Sequence, residues 1–596
     1  MKDALGDFTT DGRRLAILCA LAAVLGILSG LVAWILLRLI GLITHLAYFG
    51  RVGWSLVAPD PQHWGPISMA VPIIGGLLVG LLAKFGTDKI RGHGIPEAIQ
   101  AILENQSRME PRVALIKPIA SAITIGTGGP FGAEGPIIMT GGAIGSIVSQ
   151  LFPLSSMERR TLLVAGAAGG MSATFGSPIA AVLLAVELLL FEWRPRSLIP
   201  VALTSAIAEG MRVWLMGSAP VFAIGATPTL PWDALIWAVA IGAAAGFTSG
   251  LLTKLVYWVE DLYRKLPLHW MWWPALGGLL VGLGGLIDPR ALGVGYPTIR
   301  ALDDGQVLVS AALLLFMVKA VIWIGSLSSG TSGGVLAPLL LLGGALGTLL
   351  SPLFPGHLVG VWATMGMAAM LGGTMRAPLT ATIFTMETTH AWPLLLPVFI
   401  ASSAGMAVTV LWIPRSILTE KVSRRGVHVA REYSVHPLEG QAVSDVMVAR
   451  HETVAFPTTA RVSDVAQQIL TVPKVSYASY PVVDSEGRVV GVVSRMAILY
   501  HHHVEPDSVV PLHALAKVPI AISDRARVRT AVEHMARHGR DALLVVNRQS
   551  DWVGWITHHD AMKTWRRALE AEERREPVLR VPWARTSWDH HHSRSL

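Results

Sequence analysis

Pro72-Ile-Ile-Gly-Gly-Leu-Leu-Val-Gly-Leu81 returns two hundred residues later as Pro274-Ala-Leu-Gly-Gly-Leu-Leu-Val-Gly-Leu283. The echo continues downstream of each copy. Gly92-His-Gly-Ile-Pro96 answers Gly293-Val-Gly-Tyr-Pro297, and Lys117 answers Lys319. Gly132-Ala-Glu-Gly-Pro136 answers Gly334-Val-Leu-Ala-Pro338, and Gly141-Gly-Ala-Ile-Gly145 answers Gly343-Gly-Ala-Leu-Gly347. The offset holds at 201 or 202 (293 − 92 = 201, 334 − 132 = 202), and Pro178 to Glu187 pairs with Pro378 to Glu387 at 200. A hydrophobic half duplicated at this size, broken by matching Gly/Pro punctuation, points to a membrane transport fold. Its site is expected where the halves meet.

Composition agrees. Of 596 residues, 52% are hydrophobic and 15% charged, against about 25% charged in soluble domains. Leu15 to Ile43, Ile67 to Ala83, Ala234 to Leu252 and Pro393 to Trp412 are apolar runs, each near the roughly 20 residues that cross a bilayer. Other runs are shorter or interrupted, as segments are that line a cavity part-way into the membrane. The net charge of +8 is no nucleic-acid footprint. Much of it lies near span ends, at Arg13, Arg14, Arg424 and Arg425, and in the polar tail; that is the pattern of cytoplasmic loops. The single Cys19 excludes an intrachain disulfide and reads as a small buried hydrophobe. No short apolar core with a cleavage site opens the chain, so the first span is expected to direct its own insertion.

Apolar character ends near Trp412. The reading is an N-terminal tail (1–12), a membrane domain (13–425, halves about 13–217 and 230–425), a linker (426–440), two small soluble units (441–503 and 504–568) and a flexible tail (569–596). The soluble units repeat each other: Ala460 to Ile469 matches Ala526 to Met535. Each then has two β-rich runs about a turn and ends in Gly-x-x-Ser/Thr, at Gly491 to Ser494 and Gly554 to Thr557. This resembles a tandem CBS-domain pair over roughly 441–568. The His501 to His503 and His590 to His592 tracts read as surface decoration, since no Cys or carboxylate spacing completes a closed metal site.

Ionisable residues inside apolar segments cost at least about 2.5–3.5 kcal/mol each and need a reason. They are Lys117, Glu134, Glu187, Lys319, Arg376 and Glu387. Lys117 and Lys319 are twins, as are Glu187 and Glu387, and features present in both halves read as architecture. Glu134 has no twin: 134 + 202 = 336, which is Leu336. Gly128 to Pro136 reads as a loop opening a helix, with Pro136 in the first turn. That leaves free backbone N–H groups and the positive dipole end around Glu134. Gly92 to Pro96, Gly293 to Pro297 and Gly334 to Pro338 repeat the design. Helix N-termini meeting at mid-membrane make an anion site. A carboxylate there competes with the anion: deprotonated it plugs the site, protonated it leaves.

Gly92-x-Gly-Ile-Pro96, Gly132-x-Glu-Gly-Pro136 and Gly334-x-x-x-Pro338, in this order, resemble the three anion-site motifs of the CLC chloride channel and transporter family, over about 13–425. The resemblance implies an all-α polytopic membrane domain with an internal inverted repeat, followed by a small soluble α/β tandem CBS module. It implies no enzyme activity, a homodimer with one anion path per subunit, and Glu134 as the gate. Anion contacts are expected from Gly92, His93, Gly94, Ile95 and Pro96, from Gly132, Ala133, Glu134, Gly135 and Pro136, and from Val335, Leu336, Ala337 and Leu418. Lys117 stands where the family has its lysine and would add attraction from a distance. Chloride or a similar anion is the expected cargo, the bilayer the medium, and a bacterial inner membrane with the CBS tail in the cytosol the expected place. No cofactor is required. An adenine nucleotide is expected at most at one CBS site, through Thr557 and Asp560 of Gly554-x-x-Thr-x-x-Asp560; the first unit has Ala497 where that Asp would be.

Three departures qualify the transfer. His93 stands where chloride-selective members usually have Ser, Leu336 where the third motif usually has an aromatic, and Leu418 where the last membrane helix usually starts with Tyr. Backbone amides must then carry more of the binding, which predicts a weaker central site. Exchangers often have a second glutamate directly after the one equivalent to Glu187; here it is Leu188, which cannot relay a proton. Glu192, one turn on, is a weak substitute. The reading is therefore channel-like or loosely coupled anion flow, with proton-coupled exchange as the alternative. Two rivals are remote. Gly330-Thr-Ser-Gly333 suggests an intramembrane serine protease, but only His390 lies near as a base for Ser332. A CBS-regulated magnesium channel would need more carboxylates than the membrane half offers.

Overall fold

The protein is described from a computed structural model. It describes residues 12–573 except 104–106, 191, 225–231, 355–358, 426–437, 439–440, 472–476 and 507–508. The N-terminal tail, most of the 426–440 linker and the His590 to His592 tract lie outside the described residues. The chain divides into two compact units, one within residues 10–432 and the other within residues 433–596.

In the first unit the sequence repeat becomes a repeat of helices. The first half runs α1 (Gly12–Phe49), α2 (Ala70–Phe85), α3 (Ile95–Leu103), α4 (Pro111–Gly126), α5 (Glu134–Gln150), α6 (Ser156–Phe175), α7 (Pro178–Leu184) and α8 (Pro195–Met216). The second half answers with α9 (Ala234–Arg264), α10 (Trp273–Ile287), α11 (Tyr296–Asp303), α12 (Val309–Ser328), α13 (Leu336–Leu350), α14 (Val359–Met375), α15 (Pro378–Thr389) and α16 (Leu395–Trp412). A short α17 (Ile417–Arg424) follows. Eight described segments are long and apolar enough to span a bilayer. The chain is a multi-pass integral membrane protein.

Reciprocal contacts fix how the halves meet. At Gly76 an added Cβ would lie 2.2 Å from the Pro274 carbonyl oxygen; at Gly278, its twin, it would lie 2.2 Å from the Pro72 carbonyl oxygen. Contacts that run i to j′ and j to i′ are the mark of a two-fold relation. Gly132 and its twin Gly334 pair with each other as an antiparallel bridge. Twins paired antiparallel run in opposite directions, so the halves are inverted. The glycines are what let these backbones touch.

Pro and Gly set where helices begin and end. α7 and α15 start on Pro178 and Pro378. Ser155 and Glu158 form a capping box at the start of α6, and Gly176 (φ 66°) ends it. Gly94 has φ 91°, and a Cβ there would meet the Gly135 carbonyl oxygen at 2.4 Å, so only glycine fits. Cys19 is half-buried rather than fully buried as expected.

The second unit holds two sheets. β2 (Phe456–Pro457), β3 (Ser479–Val483) and β4 (Val489–Ser494) form one; β1 (Val448–Ala449), β5 (Ala521–Ser523), β6 (Ala542–Val546) and β7 (Trp552–Thr557) form the other, in the order β1-β7-β6-β5. The repeat is visible in register. β2 pairs parallel with β3 and β3 antiparallel with β4, while β5 pairs parallel with β6 and β6 antiparallel with β7. Helices α18 (Val462–Thr471) and α20 (Val528–His538) precede the antiparallel pairs, and α19 (Arg495–Val504) and α21 (His558–Glu573) follow them. His501 to His503 close α19.

Candidate functional site

The four Gly/Pro segment starts are tied together by backbone hydrogen bonds. Gly92 N donates to Thr331 O at 3.0 Å; Gly334 N donates to Gly132 O at 2.9 Å and Gly132 N to Gly334 O at 3.3 Å; Gly293 N donates to Gly128 O at 2.9 Å. Non-helical backbone survives at this depth because each segment satisfies its neighbour. From the knot, α3, α5, α11 and α13 lead away, so their free N–H ends face it.

Gly92, His93 and Gly94 form the turn before α3, and Ile95 and Pro96 are its first, fully buried residues. Gly132 and Ala133 precede Glu134, the first residue of α5, with Gly135 and Pro136 next in its opening turn. Val335 is the N-cap of α13, and Leu336 and Ala337 are its first two residues. Leu418 is the second residue of α17 and is wholly buried. Ile95, Ala133, Val335, Leu336, Ala337 and Leu418 belong to one apolar cluster.

Beside this apolar cluster sits the Glu134 carboxylate, 0% exposed. Backbone N–H groups of its own helix start and of α13, those of Glu134, Leu336 and Ala337, act on it. Its Oε1 accepts from the Ala337 N–H of the opposite half, at the positive dipole end of α13. Its Oε2 has no hydrogen-bond partner among the described residues. Lys117 is buried in α4 and donates to the carbonyls of Ile90 (2.8 Å) and Gly92 (2.7 Å), bracing the turn before α3. Its twin Lys319 donates to Ala291 O (2.9 Å) and Gly293 O (3.1 Å). Lys319 acts electrostatically on Glu134. The charge interactions of Lys117 are with Glu97 and Lys421.

Two cavities approach this centre from opposite ends of α4. One, of 560 Å³, reaches Glu110 and Val113 at the start of α4 and is lined by Arg91, Glu97, Lys421 and Arg425. The other, of 260 Å³, reaches Ile125 at its end and is lined by Gly293, Gly295 and Tyr296. The 16 residues of α4 rise about 24 Å at 1.5 Å each, so the centre lies between mouths on two sides.

Sequence reasoning missed Glu97. Its Oε2 accepts from Gly94 N at 2.9 Å, and Oε1 pairs with Lys421 at 3.3 Å and Arg425 at 3.0 Å. The signal was present as a carboxylate three residues after Gly94 at a helix start. Tyr257, which donates to Ile417 O and ties α9 to α17, had no sequence signal. Leu188 is fully buried in a π-helical turn, Ala185–Leu190. Glu192 accepts from Ser197 Oγ at 2.7 Å and pairs with Arg194 at 3.4 Å. The Ser332 hydroxyl pairs with Ser121 Oγ at 2.8 Å, and His390 is the C-cap of α15. In the soluble unit Asp560 Oδ2 accepts from Thr557 N (2.9 Å) and Oγ1 (2.6 Å) at the head of α21.

An inverted pair of helical halves that meets at a buried cluster of helix N-termini defines an ion-transport protein of the membrane. Residues 75–410 match the sequence model of the voltage gated chloride channel family, and 443–503 that of the CBS domain. The H(+)/Cl(-) exchange transporter ClcA of Klebsiella pneumoniae subsp. pneumoniae is 32% identical over 415 residues, 65% of this chain and 84% of that protein. ClcA of Salmonella arizonae matches over the same shares at 32%. Among solved structures, a slow cyanobacterial Cl-/H+ antiporter superposes with a TM-score of 0.60 at 24% identity, covering 70% of this chain and 99% of that one. A eukaryotic CLC transporter superposes at 0.56 with 19% identity, covering 92% and 98%. The chain belongs to the voltage gated chloride channel (CLC) family and carries a CBS domain.

Proposed function

We propose that this CLC-family anion transporter moves chloride or a similar anion across a membrane, channel-like or loosely coupled, with Glu134 as its gate. The observation that carries this is the Glu134 carboxylate resting on Ala337 N–H, at the helix end an anion would use. A protonated carboxyl group releases that N–H and an anion takes it; a carboxylate closes it again. Anion contacts come from the backbone of residues 92–96, 132–136 and 335–337, with His93 and Leu418 alongside. Lys117 holds the first turn in shape and adds positive potential. Opposed cavities supply entry and exit, and basic Lys421, Arg91 and Arg425 concentrate anions on one side.

In the full reading, 13–425 is the transport domain, 441–503 and 504–568 are the CBS pair, and 426–440 and 569–596 link and trail them. Two chains form a homodimer with one path each. The protein sits in a bacterial inner membrane with its CBS tail in the cytosol, where one adenine nucleotide binds at Thr557 and Asp560 and regulates flow. No enzymatic step is involved.

Proton-coupled exchange is the second reading, favoured by the ClcA relatives, which are named as H(+)/Cl(-) exchange transporters. It needs a proton route from the side opposite Glu134, and Leu188 offers none. Flux in liposomes separates the readings. Chloride efflux that rises on acidification, with no uphill proton movement, supports the first. Robust proton pumping driven by a chloride gradient replaces it with the second. Glu134→Gln is expected to conduct without pH control; an unaltered pH response would remove Glu134 from the gate.

A further inference from the structure

Tyr296 is the first residue of α11, on the 260 Å³ cavity side of the centre. Its ring stands edge-on to Phe222 at 5.3 Å and to Phe175 at 6.3 Å. Part of the ring opens to the cavity, but the phenol oxygen is buried and has no hydrogen-bond partner among the described residues. A buried hydroxyl without a partner is costly and calls for an explanation. Glu134 Oε2, at the centre, is likewise buried without a partner among the described residues. Glu134 is the charged group that acts on the Tyr296 phenol.

We propose that Tyr296 is the latch of the open gate: its Oη receives the Glu134 carboxyl group once an anion has displaced it from Ala337 N–H. This rests on Glu134 being the gate. A carboxyl group driven off the α13 end must find another partner or stay buried without one. On the 560 Å³ side the carboxylate would meet Glu97, a like charge. Of the basic groups there, Lys421 and Arg425 are already paired with Glu97, and Arg91 stacks on Trp270 at 4.5 Å. His93 Nδ1 is also without a described partner, but the charges acting on it are led by Lys421 and Glu97. On the other side the cavity gives room, and a phenol suits both protonation states. It donates to a carboxylate and accepts from a carboxylic acid. Lys319 holds Gly293 and the turn into α11, so Tyr296 is presented from a braced element.

The test is a four-member cycle in liposomes: wild type, Tyr296→Phe, Glu134→Ala and the double variant, read as chloride efflux at fixed pH. Phenylalanine keeps the ring packing on Phe175 and Phe222. Tyr296→Phe is expected to slow efflux about three- to tenfold in wild type, the scale of one hydrogen bond. In the Glu134→Ala background the same change is expected to leave efflux within about twofold, since no carboxyl group remains to latch. Equal slowing in both backgrounds would show that the phenol only shapes the path, and would end the latch alone. No slowing in wild type, or a gain, would end it too. Glu134→Ala with wild-type flux and pH response would remove the gate, and the latch with it.

Discussion

Glu187 and Glu387 cap each other's helices. Glu387 Oε1 and Oε2 accept from Ile179 N (3.0 Å) and Ala180 N (2.8 Å), the opening turn of α7. Glu187 Oε2 accepts from Thr380 N (2.8 Å) and Thr380 Oγ1 (2.5 Å), the opening turn of α15. Each acid sits in one half and satisfies the orphan N–H groups of the other. The pair is a staple across the pseudo-two-fold, which accounts for buried acids that are twins.

The staple predicts a stability effect without a chemical one. Glu387→Ala or Glu187→Ala removes a charge-assisted cap and should cost about 1–2 kcal/mol. Thermal unfolding in detergent should show a lower midpoint for each, with losses that do not simply add in the double variant. Flux per folded protein should stay near wild type. A variant of normal midpoint that lost transport would assign these acids to the path instead.

Gly132 offers a way to displace the proposed gate, Glu134, without removing it. A Cβ built there would lie 1.8 Å from Glu134 Oε2 and 2.2 Å from Oε1, with no backbone atom closer. The obstacle is the mobile end of a side chain, so the carboxylate yields rather than the fold. Gly132→Ala should raise efflux at neutral and high pH several-fold and flatten its pH dependence. Gly135→Ala is the control. Its Cβ would meet the His93 carbonyl oxygen at 1.9 Å, and it should fail to assemble.

What was legible in the sequence follows from what repeats. The duplicated halves, the four helix starts and the singular Glu134 were all readable, because glycine and proline mark broken backbone and Leu336 marks the missing twin; that the halves are inverted followed only from the family resemblance. The partner of Glu134 was not readable, since Ala337 acts through its N–H and any residue carries one. Lys117 and Lys319 look equivalent on paper; which one acts on Glu134 depends on which side of the two-fold that acid sits. Tyr257 was invisible for a plainer reason, since a lone tyrosine in an apolar run reads as core; Tyr296 stood inside a quoted helix start, but its role depends on where its hydroxyl lies.

The substitutions at His93 and Leu418 bear on affinity. Leu418 is buried and has no polar atom to offer an anion. Calorimetry on the purified protein should therefore find weak chloride binding. Leu418→Tyr and His93→Ser restore hydroxyls, each adding a hydrogen bond of about 0.5–1.5 kcal/mol, or roughly three- to tenfold in affinity. Tight chloride binding by the wild type would contradict the reliance on backbone amides.

In the soluble unit, Asp560 is committed to Thr557 N and Oγ1, while its counterpart position in the other repeat is Ala497, whose N–H donates to Ser494 Oγ at 3.2 Å. One acid in two repeats predicts one nucleotide per chain. Calorimetric titration of the full-length protein with ATP or AMP should give a stoichiometry near one. Asp560→Asn should weaken binding about tenfold or more, because an amide loses the charged acceptor that a ribose hydroxyl needs. It should leave the fold nearly intact, since the asparagine oxygen still accepts from Thr557 N–H at the head of α21. Two equivalents bound, or full affinity in Asp560→Asn, would place the nucleotide elsewhere on the pair.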